Sequence, residues 1–527
     1  MGSFPFLSPL SLVTIIIVTA TQGGAAFGVP LSTKSRWVVE ESSGQRVKMA
    51  CANWVSHPEA GVAEGLSKQP IDAIVDRISS MGFNCVRLTW PLYLATTNDS
   101  LAVLTVRQSF KKLGLTQAIA GVQANNPSII DLSLIQAYQA VVSGLGNKKV
   151  MVILDNYITK PNWFDDNGFI GDKYFDPNLW IKGLTRMATL FKGLSNVVGM
   201  SLRNELRGPK QNVNDWYKCM QRGAEAVHSA NPDVLLILSG LNHDKDLSFL
   251  RNRLMSLTFS GKLVFETHWY AFTDDKAWES GNPNQLCGTI INKIMRQSGF
   301  LLEKGFPLFL SEFWVDQNQK GTNMSDNRYL NCFLALAAEL DLDWALGRQG
   351  VIGMNEDYGI MNWDWDDESP NSSLLQKISA IQRPFRGRSL SETRPHKSIF
   401  HPSTGLCVVR KSVHDSLKLG PCSSSDGWNY TPQKTLTIKG TYFCLQAYDV
   451  GKPARLSIKC TESDSKWETI SDSKLQLSST TPNGDTVCLD IDSANEVVTN
   501  TCKCLSRESS CDPSSQWFKL VDSTRSP

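Results

Sequence analysis

The chain has 527 residues, enough for two hydrophobic cores, and its 53 basic and 51 acidic side chains leave a net charge of +2. It has no long run of one sign, so the charge pattern gives no reason to expect nucleic acid or an acidic membrane surface as a partner. A hydrophobic content of 41% with 15 tryptophans is typical of a folded, aromatic-rich protein.

The N-terminus carries an apolar run over residues 10–20, followed by small residues through Ala26. Because this run is well below the ~20 residues that span a bilayer, we interpret residues 1–26 as a signal peptide and expect no membrane span after its removal. A short membrane anchor is the alternative. We therefore expect a secreted protein, extracellular or in the cell wall. N-glycosylation sequons agree with secretion and lie at Asn98, Asn323, Asn371 and Asn429.

From about residue 46 to 360, short runs rich in Val, Ile and Leu alternate with longer helical segments. The predicted strands are residues 47–53, 85–90, 150–155, 197–204, 234–239, 263–267 and 308–311, with an eighth between 341 and 354. The predicted helices are residues 71–81, 132–145, 179–194, 216–229 and 289–304. Continuously apolar strands indicate a parallel sheet covered on both faces, and eight such units predict a (β/α)₈ TIM barrel over residues 31–368. A doubly wound open sheet is the alternative, but the chain lacks a Gly-rich loop after its first strand.

The C-terminal part differs in composition. Residues 369–395 are rich in Ser, Pro and Arg and predict a linker. Residues 396–525 repeat a cysteine–apolar pair, a second cysteine and a tryptophan at intervals of roughly 40 residues. This predicts an all-β domain with threefold pseudo-symmetry, in which Trp428, Trp467 and Trp517 pack around a shared axis. Eight of the 13 cysteines lie here, a density typical of an oxidising compartment, and their pairing is open. Their spacing does not match a zinc site.

Polar residues occur at the carboxyl ends of the predicted strands, which meet at one rim of a parallel barrel. Glu205 and Glu312 each end a buried apolar strand, where a charge is costly unless it has a function. Two acids facing each other across a pocket are the arrangement that glycoside hydrolysis requires. The other candidates are strand-end polar groups or rings that can stack on sugars: Arg87, Asp155, Asn156, Asn204, His268, Tyr270, Trp54, Trp90, Trp314 and Trp363.

The two glutamates need different surroundings. A nucleophilic carboxylate must stay ionised, so we expect Glu312 near Arg87 and Tyr270. An acid must hold a proton near neutral pH, so we expect Glu205 in a drier, less compensated place. Asn204 is a candidate to bind a sugar 2-hydroxyl. These residues imply no metal and no organic cofactor.

Three motifs carry a family resemblance. They are Arg203-Asn204-Glu205, His268-Trp269-Tyr270 and Leu310-Ser311-Glu312-Phe313. They resemble glycoside hydrolase family 5, the cellulase-type barrel, over roughly residues 45–365. The resemblance implies a retaining mechanism with Glu205 as acid/base and Glu312 as nucleophile, supported by Arg87, Asn204, His268 and Tyr270.

The C-terminal repeat resembles a ricin B-type β-trefoil lectin over about residues 396–520, and the whole chain looks like a secreted plant cellulase-like protein. Sugar-binding repeats of that type carry an acid after the cysteine–apolar pair. Only the third repeat has one, Asp490, where the others have Val409 and Gln446. A glycan bound at Asp490 and a purely structural trefoil are both open.

Two features depart from the family 5 pattern. Members often carry a histidine close after the strand-three acid, but Asp155-Asn156 is followed here by Tyr157. Members also end strand eight with a sugar-stacking tryptophan, whereas here the segment after Trp344 runs at once into a Gly-rich stretch. This predicts a shortened strand eight and an exposed sheet edge. Trp344 and Trp363 are the candidate replacements.

The favoured function is a secreted retaining β-glycoside hydrolase acting on a β-linked polysaccharide, with β-1,4-glucan as the preferred substrate. A mannanase or β-glucosidase is the alternative within the class. A carbohydrate-binding protein with little or no catalysis is the alternative from another class. A carboxyl separation of ~5–5.5 Å would favour a retaining enzyme, and ~6.5–9.5 Å an inverting one.

Overall fold

The computed structural model describes residues 30–96, 103–161, 167–274, 276–315, 324–348, 365, 372–387, 395–506 and 511–525. Eight parallel strands close into a barrel in chain order. Strands β1 to β8 are Ala50–Trp54, Cys85–Pro91, Met151–Ile158, Val197–Ser201, Leu235–Leu238, Leu263–His268, Leu308–Phe313 and Asp343–Arg348. The predicted fold class, a (β/α)₈ barrel followed by an all-β region, is confirmed.

Helices cover the outside of the barrel. The longer ones are Ile71–Ser80, Val106–Lys112, Thr116–Asn125, Leu134–Asn147, Pro177–Leu190, Val213–Ala230, Pro283–Ile294 and Met324–Leu340. Their starts follow capping rules: Asp176 accepts the N–H of Leu179, and Asn212 accepts the N–H of Asp215. The hairpin Leu31–Lys34 with Trp37–Glu40 packs Leu31 and Val38 against the apolar layer that fills the amino-terminal end of the barrel.

Strand β8 closes the barrel by pairing with both β1 and β7, so the expected open edge is wrong. Gly347 permits this approach, since a Cβ there would lie 2.9 Å from the Phe313 carbonyl oxygen. Trp344 is fully buried and donates from Nε1 to the Ile381 carbonyl at 2.9 Å, so it is a core residue and not a sugar platform. Trp363 lies outside the described residues.

The linker predicted over residues 369–395 contains a helix, Ser372–Gln382, so that prediction is wrong over these residues. The helix packs Ile378 and Ile381 into the barrel's core cluster, and Gln382 donates to the Met81 carbonyl at 2.7 Å. Its apolar spacing was hidden by the Ser- and Pro-rich sequence on both sides.

The C-terminal region is built from antiparallel strands in two sheets. One contains His396–His401, Leu406–Val409, Lys418–Gly420, Trp428–Tyr430, Leu436–Ile438, Cys444–Gln446, Arg455–Ser457 and Lys519–Ser523. The other contains Lys452–Pro453, Glu468–Ile470, Gln476–Thr480, Thr486–Ile491 and Val497–Thr501. The trefoil and lectin assignments stay predictions.

The disulfides staple both parts of the chain. They join Cys51–Cys85, Cys287–Cys332, Cys407–Cys422, Cys444–Cys460, Cys488–Cys502 and Cys504–Cys511. The first ties β1 to β2 directly, and each C-terminal repeat closes its own loop. Cys219 is the free, buried thiol that the odd total required.

The two parts share a hydrophobic core. Trp428 and Trp467 lie in the C-terminal core, but Trp517 packs in the barrel's cluster, so the expected shared axis is wrong for Trp517. Asn284, on the helix Pro283–Ile294, accepts from Trp517 Nε1 at 2.9 Å and donates to Gln476 at 2.9 Å. The C-terminal region is thus packed onto the barrel by buried apolar and hydrogen-bonded contacts.

None of the helices in the described part of the chain is long and apolar enough to cross a bilayer. The predicted signal peptide and the sequons at Asn98, Asn323 and Asn371 lie outside the described residues. Asn429 is exposed on the strand Trp428–Tyr430.

Candidate active site

Glu312, near the end of β7, is held by two donors at the carboxyl-terminal rim of the barrel. Arg87 Nη1, from β2, donates to Glu312 Oε1 at 2.8 Å, and Tyr270 Oη donates to Oε2 at 2.7 Å. A guanidinium and a phenol thus donate to different oxygens of one carboxylate. The pKa of Tyr270 is raised well above its usual value by burial and by the nearby charge of Glu312, which keeps the phenol protonated as a donor.

Arg87 is the centre of a buried charge cluster. Its guanidinium also contacts Asp155 Oδ2 at 3.1 Å and Glu266 Oε2 at 3.4 Å, and all three side chains are fully buried. Burial raises the pKa of Asp155 to about 8, against the lowering effect of Arg87. The pKa of Arg87 stays above its ordinary value because the three carboxylates outweigh the cost of burial. One fixed cation therefore serves Glu312 and two supporting acids.

Glu205 follows β4 in an unusual backbone conformation, with φ at +41°. Its Oε1 lies 3.0 Å from His268 Nδ1, and its Oε2 lies 3.6 Å from Arg207 and 3.9 Å from His243. Burial raises the pKa of Glu205, but the hydrogen bonds from His243 and His268 and the charges of His268 and Arg207 outweigh it and hold that pKa well below its usual range. The expectation of a drier, less compensated place is therefore wrong for the substrate-free site.

His268, at the end of β6, lies between the two glutamates. Its Nδ1 is 3.0 Å from Glu205 Oε1 and 3.6 Å from Glu312 Oε2, while its Nε2 is 3.4 Å from Asp244 Oδ2. Burial lowers the pKa of His268, but Glu312, Asp244 and Glu205 together raise it to about 10. The ring is an imidazolium at neutral pH, and it partly neutralises the acids on both sides.

The two candidate catalytic acids are close together. One ligand-type atom each of Glu205, His268 and Glu312 lies within 4.8 Å of the other two. Three such groups have the spacing of a metal site, but a cation there would have to displace the proton of His268 and compete with Arg87 for Glu312. The site is better suited to acid–base and nucleophilic chemistry.

The candidate amides have separate roles. Asn204 Oδ1 accepts from Arg87 Nη2 at 2.8 Å, while its buried Nδ2 has no hydrogen-bond partner among the described residues. That group is the donor expected for a sugar 2-hydroxyl. The Asn156 side chain instead accepts a hydrogen bond from Trp180 Nε1 at 3.1 Å, so it contacts a buried residue behind the rim.

The candidate tryptophans are more buried than sugar platforms should be. Trp54 and Trp90 are fully buried, and Trp54 donates to the Glu64 carbonyl at 2.9 Å. Trp314 is 8% exposed. Among the described residues, an exposed ring at this rim is Phe272, 75% accessible and stacked on Tyr270 with ring centroids 4.9 Å apart. Sequence reasoning missed it because it lies in the short 3-10 helix Ala271–Asp274, beyond the end of β6.

A histidine does lie beside Tyr157, but it comes from elsewhere in the chain. His57, after β1, stacks on Tyr157 with ring centroids 3.9 Å apart and has Nδ1 2.8 Å from Thr89 Oγ1. Glu266 and Asp244 were also missed. Glu266 had a signal, as the one acid inside the apolar run of β6, whereas Asp244 lies in a loop with no periodic pattern.

Asp490 in the C-terminal region is 1% exposed. Its carboxylate accepts from Gln516 Nε2 at 3.0 Å and from Asn500 Nδ2 at 3.1 Å. Burial raises its pKa, but hydrogen bonds from Gln516, Ser515 and Asn500 outweigh this and lower it overall. Its carboxylate is thus engaged within its own repeat.

With this geometry described, comparison with known proteins identifies the family. Residues 44–369 match the cellulase family, described as cellulase (glycosyl hydrolase family 5). The chain belongs to this family. It is 40% identical to a "Glycosyl hydrolase 5 family protein" of Chamaecyparis obtusa, over 98% of this chain and 96% of that one. The family 5 chain is therefore a cellulase-like β-glycoside hydrolase, a glycosidase.

More distant relatives cover a smaller part of the chain. The family 5 chain is 22% identical to an "Endoglucanase" of Paenibacillus polymyxa, over 45% of this chain and 59% of that one. The fold is similar to that of an endocellulase from Pyrococcus horikoshii, with a TM-score of 0.55 at 17% identity, covering 68% of this chain and 100% of that one. The fold is also similar to that of the catalytic domain of the major endoglucanase of Xanthomonas campestris, with a TM-score of 0.53 at 19% identity. That match covers 66% of this chain and 98% of the other.

Proposed function

We propose that this chain is a secreted retaining endo-β-glucanase that cleaves a β-1,4-glucan by double displacement, with Glu312 as nucleophile and Glu205 as acid/base. The observation that supports it most is the closeness of the two acids: one carboxylate oxygen of Glu205 lies within 4.8 Å of one of Glu312. Such closeness favours the retaining arrangement, in which the carboxyl groups are ~5–5.5 Å apart, over the ~6.5–9.5 Å that leaves room for a water in an inverting enzyme.

In the first step, Glu312 attacks the anomeric carbon as the glycosidic C–O bond breaks, and Glu205 gives a proton to the leaving oxygen. Arg87 and Tyr270 contact the oxygens of Glu312 and keep its charge available until the ester forms. In the second step, Glu205 takes a proton from water, which attacks the same carbon and releases Glu312. The product then keeps the β configuration.

The opposite pKa shifts of Glu205 and His268 fit one proton that the two side chains share. In the free site the proton lies on His268, since the pKa of His268 is about 10 and that of Glu205 is low. A sugar that covers Glu205 would remove the remaining water from its carboxylate, which is one-fifth exposed. Desolvation then raises the pKa of Glu205 and favours transfer of the proton to it before bond cleavage.

The test is sugar release from β-1,4-glucan, mixed-linkage β-glucan, mannan and aryl β-glucosides by the wild type, Glu312→Gln and Glu205→Gln. We expect release from β-1,4-glucan, with a loss of at least about 10³-fold in Glu312→Gln. Release from mannan alone would assign a mannanase. A folded wild type that binds β-glucan but releases no sugar would favour the binding protein.

Secretion rests on residues 1–26 and is tested by expressing the full chain with and without them. We expect the full chain in the medium with residues 1–26 removed. Retention of an uncleaved chain at the membrane would favour the anchor. The proposed glycan site at Asp490 is tested by glycan binding of Asp490→Asn, and unchanged binding would leave the C-terminal region without that role.

A further inference from the structure

Asp244 is a buried acid directly behind the proposed acid/base, in the loop after β5. It is fully buried, and its Oδ2 accepts the backbone N–H of Glu205 at 3.0 Å. The same oxygen lies 3.4 Å from His268 Nε2, on the side of the ring opposite to Glu205 and Glu312. One carboxylate oxygen thus contacts both the main chain of Glu205 and the histidine that contacts its side chain.

The backbone around Asp244 is strained. Asn242, His243 and Asp244 all have left-handed φ values, at +56°, +57° and +57°. Non-glycine residues rarely adopt this conformation, and then usually as single residues, because Cβ lies too close to the following carbonyl oxygen. Hydrogen bonds to other segments help to hold the turn, among them those from His243 N–H to the Leu206 carbonyl at 2.9 Å and from Thr267 Oγ1 to the Asp244 carbonyl at 2.9 Å. Strained residues of this kind persist only where the surrounding structure holds them in place, and they are concentrated at functional sites.

The Asp244 carboxyl is costly to bury. Its Oδ1 is buried without a hydrogen-bond partner among the described residues, so the carboxyl carries part of its burial cost uncompensated. Within the described part of the chain, its other oxygen contacts the Glu205 backbone N–H and His268 Nε2. A residue that served stability alone would be replaced at lower cost by an apolar side chain.

We propose that Asp244 is a positioning residue for proton delivery: its carboxyl fixes the left-handed backbone of Glu205 and the ring of His268, so that Glu205 Oε meets the leaving oxygen. This rests on the proposed function of Glu205 as acid/base. Asp244 itself touches neither the sugar nor the bond that breaks. Its removal leaves Glu312 and Arg87 in place and affects the step that needs a proton.

The test compares two substrates of different proton demand. Cellotetraose has a poor leaving group that needs an acid, while 2,4-dinitrophenyl β-cellobioside has a leaving group that departs without one. For Asp244→Asn, which keeps the shape and the preference for left-handed φ, we expect kcat/KM to fall about 10- to 100-fold on cellotetraose and less than about 3-fold on the aryl glycoside. The larger fall is below the 10²–10⁴ that a general acid supplies.

The matched control is Asn242→Ala, which strains the same turn but removes no contact to Glu205 or His268; both substrates should respond equally. If Asp244→Asn also lowers both equally, Asp244 is only structural and the inference is wrong. Glu205→Gln separates the two proposals. If this variant lowers kcat/KM equally on both substrates, the role of Glu205 as acid/base is itself wrong. If Asp244→Asn does not fold, Thr267→Val takes its place, because it releases the Asp244 carbonyl. We expect Thr267→Val to lower kcat/KM more on cellotetraose than on the aryl glycoside, by a smaller ratio than Asp244→Asn. An equal fall on both substrates would overturn the inference.

Discussion

Because His268 is charged in the folded protein, we expect the free energy of unfolding to fall as the pH rises. The pKa of His268 is raised from 6.5 to about 10 by Glu312, Asp244 and Glu205, despite its burial. A group whose folded pKa is raised contributes stability that is fully present below its unfolded pKa and is lost as pH rises through the folded pKa. The contribution of His268 is therefore complete below about pH 6.5 and disappears by about pH 10.

The magnitude follows from the interval between those values. At ~1.4 kcal/mol per pH unit, the range from 6.5 to about 10 corresponds to roughly 5 kcal/mol of unfolding free energy. Solvent screening does not reduce it greatly, since the His268 side chain is 1% exposed. This is a large share of the 5–15 kcal/mol by which folded proteins are typically stable.

The assay is urea unfolding of the wild type and His268→Gln at pH 6, 8 and 10.5. Groups far from His268 titrate alike in both proteins, so the difference between the two unfolding free energies reports His268 together with the acids it contacts. We expect that difference to shrink by roughly 5 kcal/mol between pH 6 and 10.5. A difference that stays constant across this range would refute the assignment of an imidazolium between the two glutamates.

Three further predictions concern other parts of the chain. Asp341 forms buried ion pairs with Arg46 and, at 3.2 Å, with Lys48. Asp341→Asn should therefore lower the free energy of unfolding in urea at pH 7 by about 3–5 kcal/mol, and a loss under about 1 kcal/mol would contradict a buried ion cluster. Asn284→Leu removes four hydrogen bonds between Asn284 and the C-terminal region, two donated and two accepted by Asn284, and should cost about 3 kcal/mol in the same assay. An unchanged midpoint would mean that the contact carries no stability. Phe272→Ala should raise KM for β-glucan about 3- to 10-fold with kcat unchanged, and an unchanged KM would exclude Phe272 as a sugar platform.

The barrel and the two acids were predictable because both depend on short-range pattern. Eight apolar runs of strand length predict a parallel barrel, and charges at their carboxyl ends must meet at one rim. Glu205 and Glu312 were found in this way, and so were Arg87 and His268. The helix Ser372–Gln382 was not, because the Ser-, Pro- and Arg-rich sequence on both sides of its apolar residues suggests a linker.

The missed residues depend on contacts between distant segments. Asp244 reaches Glu205 only through a left-handed turn, and His57 reaches Tyr157 from the segment after β1. The burial of Trp54 and Trp90 was equally hidden, since sequence gives their place on a strand but not what covers them. The proton balance between Glu205 and His268 also required the distances themselves, because composition does not show which acid has a cation beside it.

Cleavage of a β-glucan with retention by two glutamates is tested by the anomer that forms first. Proton NMR of cellotetraose hydrolysis, recorded within the first minutes before mutarotation, distinguishes the two reducing-end anomers. We expect the β anomer to appear first, because a covalent intermediate on Glu312 requires it. Initial release of the α anomer would contradict the double displacement and the roles assigned to Glu205 and Glu312.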